Sequence, residues 1–357
     1  MKTQNKQKLS IKQILPLFSI VIFGASICAA QISSVKSPTS SGYHLLKKIK
    51  IGGEGGWDYI FDDSNARRLY VSHATKVVVI DTDKDTIIGE IPNTNGVHGV
   101  AVAEDLGKGF TSNGRDNSVT IFELKTLKTL DTVKVGKNPD TIIYDAATKR
   151  IFTFNGGSSD ATAIDAASGK VVGAIALGGR PEFAVSDGKG TIFANIEDKS
   201  EVVAFDPNKL EVKNRWRVAP GEEPSGMAFD PKTRRLFVVC ANEKMIILNA
   251  DNGKIIADLP TGKGTDAAGF DPNTKFAFAS NGDGTLTVVR EDKGDKFSVV
   301  ENVQTKRGAR TMAVDPKTAK IYLPTAEFGA TPAPTKERPN PRPAIVPDSF
   351  VILVFGK

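Results

Sequence analysis

The sequence predicts an all-β fold: a seven-bladed β-propeller of four-stranded antiparallel blades. Three observations predict it. One pattern recurs seven times, at steps of 40, 42, 42, 43, 41 and 44 residues. Each copy holds four short runs rich in Val, Ile and Phe, separated by Asx, Gly and Pro turns. No long segment carries a 3.6-residue apolar period, so helices are expected to be scarce. A four-stranded repeat of about 42 residues is the unit of a propeller blade.

The clearest copy is PSGMAFDPKTRRLFVVC, Pro224 to Cys240. Its equivalents begin at Asp58, His98, Pro139, Pro181, Thr265 and Ala309. The first two strands of a blade are joined by Asp-Pro-x-Thr in three copies. Proline fixes φ there, and the aspartate side chain is expected to bond the backbone ahead of it. Third and outer strands follow, as in MIILNAD then KIIADLPTG. The last copy stops after its third strand, DSFVILVFGK. The stretch YHLLKKIKIG, residues 43–52, has the outer-strand pattern and belongs to no other blade. The N-terminal strand is therefore expected to complete the last blade and close the ring, with the propeller spanning 43–357.

Residues 1–30 read as an export signal. Lys2, Lys6, Lys8 and Lys12 form a basic start with no acid, and Ile14 to Ile27 form an apolar run of 14 residues. That run is short for a bilayer core of about 30 Å. Cys28-Ala29-Ala30 offers the small residues a signal peptidase needs, so cleavage is expected after Ala30. The rival is a lipid anchor on Cys28, but bulky Ile27 precedes it, where a lipobox wants a small residue. The mature protein is expected to be periplasmic or secreted and to hold no transmembrane segment. The Ser-rich stretch 31–42 is expected to be a flexible linker. The four lysines carry four of the six net charges, so the mature chain is close to neutral and a nucleic-acid role is disfavoured. Cleavage leaves Cys240 as the lone thiol, which excludes an intrachain disulfide and a multi-cysteine metal site.

The repeats carry a resemblance. RLYVSH, residues 68–73, resembles the YVTN repeat, and FTSN (110–113) and FTFN (152–155) are variants of it. The pattern at Gly221–Pro231 and the Pro-rich run before FVILVFGK fit the same group. The chain resembles the YncE-like, YVTN-repeat family of exported seven-bladed propellers over about residues 43–357. The resemblance implies the fold and no catalytic residue. Tyr-Val-Thr-Asn is intact in none of the copies.

The position heading the first strand is occupied in turn by Asp58, His98, Asp140, Glu182, Ser225, Asp266 and Arg310. Loops on a rigid scaffold carry function, and toroidal closure brings these seven to one channel mouth. The same face is expected to receive His73, Asn113 and Asn155 from second-strand ends, and Arg115, Arg180, Glu222, Glu223 and Arg307 from loops. Convergent oxygens suit a hard, calcium-like divalent cation. The metal-ligand candidates are Asp58, His73, His98, Asp140, Glu182 and Asp266, with His73 and His98 a possible transition-metal pair. The alternative is a wet, polar channel mouth with no ligand. The Pro-rich segment 326–349, with six prolines, interrupts the last blade and is expected to lie over or beside the mouth. Trp57 and Trp216 read as blade-packing residues, and Cys240 as inert core.

Two functions are expected from these features. The first is a non-enzymatic, monomeric binding protein that takes a small ligand, a peptide or a protein at the mouth. The second is a metal-dependent hydrolase of lactonase type, in which mouth carboxylates hold a cation that activates water. The chain has no G-x-S-x-G elbow, and Asn281-Gly-Asp-Gly284 reads as a hairpin turn, not a phosphate loop.

Overall fold

The computed structural model describes residues 40–292, 294–336, 339 and 341–357. The expected export signal lies outside the described residues, as does most of the expected linker. The described chain forms seven four-stranded antiparallel sheets. Blade one runs Ile60–Asp63, Arg68–His73, Lys76–Asp81, Thr86–Ile91. Blades two to six repeat that order, innermost strand first. Blade seven orders Ala313–Asp315, Lys320–Thr325 and Val351–Gly356, then His44–Lys50 on the outside. The N-terminal strand therefore closes the ring, with Ile49 opposite Ile352. Residues 40–42, expected as linker, belong to the fold. Ser41 donates to Glu301 from its backbone N and its Oγ, both at 2.7 Å.

Burial explains the composition of the strands. Second and third strands are covered on both faces by neighbouring blades, so Arg68–His73 and Lys76–Asp81 are buried almost throughout. A doubly covered strand reads as a continuous apolar run and not as alternation. Outer strands such as Thr129–Lys134 face solvent. The core is a set of layers between blades. Ile60, Leu69, Val71 and Ile80 of blade one pack against Tyr322, Ile352 and Val354 of blade seven, together with Ile49. Among the described residues the only helical turns are Glu104–Leu106 and Glu197–Lys199.

The face opposite the mouth is set by the Asp turns. Asp230 accepts from Lys232 N at 2.9 Å and from Thr233 Oγ1 at 2.5 Å. Asp271 and Asp315 repeat the arrangement with Asn273 and Thr274, and with Lys317 and Thr318. The same belt joins blades. Arg67 of blade one donates to Asp315 of blade seven at 2.7 Å, and Ser186 of blade four donates to Asp145 of blade three at 2.6 Å.

Candidate functional site: the channel mouth

Each mouth residue sits at a local break in its sheet. The ladder between first and second strands shifts register between Val97 and Val100, Pro139 and Ile142, Pro181 and Ala184, Pro224 and Met227, and Thr265 and Ala267. These shifts flank His98, Asp140, Glu182, Ser225 and Asp266. A bulge kinks the strand and re-aims a side chain. In blades one and seven, Asp58 and Arg310 precede the regular strand altogether.

Neighbouring blades then hold the ring in place. Ser112 donates to the carbonyl of Asp140 in the next blade, and Asn195 to that of Ser225 at 2.5 Å. Ser280 holds the carbonyl of Arg310 at 2.5 Å, and Thr311 that of Asp58 at 2.8 Å.

Five of the seven residues form one chain of polar contacts. Arg310 Nη1 donates to Asp266 Oδ2 at 2.8 Å, and Arg310 Nη2 lies 3.6 Å from Asp58 Oδ1. His98 Nδ1 lies 2.5 Å from Asp58 Oδ2 and 3.5 Å from Asp140 Oδ1. The ring is thus linked continuously from blade six through seven, one and two to three. Asp58, His98 and Asp140 each offer a ligand atom within 4.8 Å of the other two. Ser225 stands apart, buried and donating to the carbonyl of Thr265 at 3.3 Å.

The floor of the mouth is aromatic. Tyr59 of blade one meets Phe183 of blade four across the axis, centroids 5.1 Å apart at 62°. An axial cavity of about 380 Å³, walled by Val100, Val102 and Ile142, adjoins these rings. The expected polar channel is therefore a polar cup above an apolar shaft. Low-dielectric surroundings disfavour ionised carboxylates. Burial raises the pKa of Glu182 to about 9, and the charges of Asp140 and Glu197 add to it. Asp140 is raised well above the usual carboxylate range by burial and then by Asp58 and Asp266. Asp266 rises only to about 6, because the Arg310 guanidinium opposes its burial. Burial alone would lower Arg310, but Asp266 and Asp58 more than offset it and hold it charged.

Other expected residues lie elsewhere. His73 is buried and stacked on Phe350, centroids 4.7 Å apart at 20°, away from the His98 cluster. Asn113 and Asn155 are buried and bond within their own hairpins. Asn155 Nδ2 donates to Asp160 at 2.6 Å and Thr162 at 2.9 Å, and Asn113 Nδ2 to Thr120 at 2.9 Å. Arg180 pairs with Glu197. Trp216 packs on Phe193, as expected. Cys240 is fully buried, and burial pushes its thiol up to about 12.

Glu197 was not anticipated, although the repeat carries a signal for it. The residue after the second strand is Ala74, Gly114, Gly156, Glu197, Ala241, Gly282 or Ala326. Six copies are small and one is acidic. The small residues leave room for the ring: a Cβ on Gly114 would lie 2.7 Å from His98 Nε2. Glu197 occupies that position in blade four, pairs with Arg180, and adds its charge to the burial that raises Asp140, Glu182 and Asp266.

No family model matches the chain, and no curated protein matches its sequence. Solved structures do. A chain of Kuenenia stuttgartiensis hydrazine synthase superimposes with a TM-score of 0.68 at 17% identity, over 79% of this chain and 96% of that one. A chain of a mitotic checkpoint complex gives 0.67 at 12% identity, over 90% and 96%. At these identities the likeness shows the propeller fold alone.

Proposed function

We propose that this propeller is a binding protein whose ligand enters the charged cup and presents a positive group to it. The observation that carries the reading is the linked chain Asp266–Arg310–Asp58–His98–Asp140, with Glu182 beside it. Four carboxylates face one guanidinium over an apolar floor. Two of them, Asp140 and Glu182, are raised first by burial and then by neighbouring carboxylates, Asp58 and Asp266 for Asp140, and Asp140 and Glu197 for Glu182; a bound cation would relieve that repulsion. Rigid presentation of polar groups at a propeller mouth fits an interaction scaffold, and the role belongs to the site and not to the fold.

A second reading is supported by one specific feature, the donor set of Asp58, His98 and Asp140. An imidazole with two carboxylates suits a transition-metal ion better than calcium. Such an ion would polarise a carbonyl and activate water, giving the metal-dependent hydrolase. Elemental analysis of purified protein separates the readings. A stoichiometric resident metal supports the hydrolase; its absence, with cation binding retained in solution, supports the binding protein.

We also place the chain with the exported, YncE-like YVTN-repeat propellers. RLYVSH, FTSN, FTFN and the basic, apolar, small-residue order of residues 1–30 support this. Mass spectrometry of the exported chain is expected to begin at or within a few residues of Gln31. A diacylglycerol on Cys28 would overturn the cleavage assignment.

A further inference from the structure

The Pro-rich segment does not hang free. Phe328 and Ile345 pair as an antiparallel bridge. Gly329 N donates to Ala344 O at 2.9 Å, and Val346 N to Glu327 O at 2.8 Å. Ile345 packs with Trp57 on the core shared by blades seven and one. This stem, with loops of blades six, seven and one, encloses a cleft of about 410 Å³ beside the cup. That volume is within the range of small-ligand sites.

The lining of the cleft is specific. Trp57 stacks on Phe350 at 4.9 Å and 20°, and its centroid lies 6.2 Å from that of Phe328. Arg307, Arg310 and Arg342 line the space, and among the described residues no acidic one does. Arg310 is engaged by Asp266 and Asp58. Among the described residues Arg307 and Arg342 pair with no carboxylate, and the Arg307 guanidinium lies over the Phe328 ring at 5.8 Å. Four glycines, 56, 264, 282 and 308, complete the wall. At Gly308 a Cβ would strike Phe328 at 2.6 Å, so the space depends on glycine there. Two guanidinium groups that form no ion pair among the described residues, beside two aromatic faces, call for a flat anion. Arginine binds carboxylates through paired hydrogen bonds and stacks on rings.

We propose that this cleft binds a small aromatic carboxylate, its ring against Trp57 and Phe328 and its carboxylate held by Arg307 and Arg342. The site is separate from the cup and does not depend on cation binding there. Arg310 forms the wall between an acidic compartment and a basic one.

The test uses the Trp216→Phe protein, in which Trp57 is the only tryptophan. Fluorescence is followed during titration with benzene-1,3-dicarboxylate in chelator, so that no cation contributes. The expected result is a saturable change, with Arg307→Ala and Arg342→Ala each weakening binding about tenfold. Both side chains are exposed, and Arg307→Lys keeps the charge without the paired donors and is expected to fall between. Absence of saturation up to about 10 mM overturns the proposal. Unchanged affinity in both alanine variants overturns it too. So does equal binding of benzene-1,3-dimethanol, which has the ring without the charge, or of inorganic phosphate, which has charge without the ring.

Discussion

His98 Nδ1 lies 2.5 Å from Asp58 Oδ2, across the seam between the second and first blades. That contact engages the Nδ1 side of the imidazole and leaves Nε2 as the ring nitrogen for other partners. Asp58 is at the same time engaged by Arg310 of the seventh blade. One aspartate thus ties three blades at the mouth, spanning the seam between blades seven and one.

Ring closure by residues 44–50 predicts a large effect from one core substitution. Ile49 is buried in the layer between blades seven and one. Ile49→Ala is expected to destabilise by about 3 kcal/mol, the sum of lost transfer energy and a cavity. Chemical denaturation measures it. A change indistinguishable from zero would mean that the strand is not part of the closed sheet.

The opposite face has its own closure. Burial would raise Asp315, but hydrogen bonds from Thr318 and Arg67 outweigh it and hold its pKa below the usual carboxylate range. Arg67→Ala leaves this fully buried carboxylate without its counter-ion and is expected to cost about 3 kcal/mol. Because a lowered carboxylate pKa gives stability that is lost as pH falls through it, the cost is expected to shrink in acid. Melting curves of wild type and variant at neutral and acid pH read both effects.

The cup predicts the opposite pH trend. Glu182 rises from 4.5 to about 9 on folding, and Asp266 from 3.8 to about 6. A raised folded pKa means that the folded chain binds the proton more tightly. The associated stability is full below the unfolded pKa and is lost as pH rises through the folded one. Wild-type stability is therefore expected to fall from about pH 4 to about pH 9. Glu182→Gln has no proton to lose and is expected to be the more stable protein at the alkaline end. Urea midpoints across that window check it, and parallel profiles for the two proteins would contradict it.

Much of this fold is legible in the sequence because the repeat is long and its turns have chemistry. Asp230, Asp271 and Asp315 bond the backbone ahead of them, as Asp-Pro-x-Thr implies. The missing strand of the last copy and the spare strand at residues 43–52 pair as their patterns require. The mouth is less legible. Equivalent positions locate Asp58, His98, Asp140 and Arg310 on one ring, but repeat alignment does not show the bulges that turn the side chains inward. Nor does it show that Tyr59 and Phe183, distant in sequence, meet to make an apolar floor. Asn113 and Asn155 read as mouth residues because they end second strands. Their amides are consumed by hairpin threonines, a contact seven residues away that spacing alone leaves open. Glu197 was legible as the one acid among seven otherwise small residues.

The central claim is that a positive group binds among the mouth carboxylates. Calorimetric titration of the protein with zinc and with calcium, in wild type, Asp140→Asn and Glu182→Gln, tests it most directly. The account predicts saturable binding of at least one cation, with proton release as the raised carboxylates ionise. It predicts that each variant weakens binding about tenfold by removing a charged oxygen ligand. Affinity unchanged in both variants, or binding of neither cation, would contradict it.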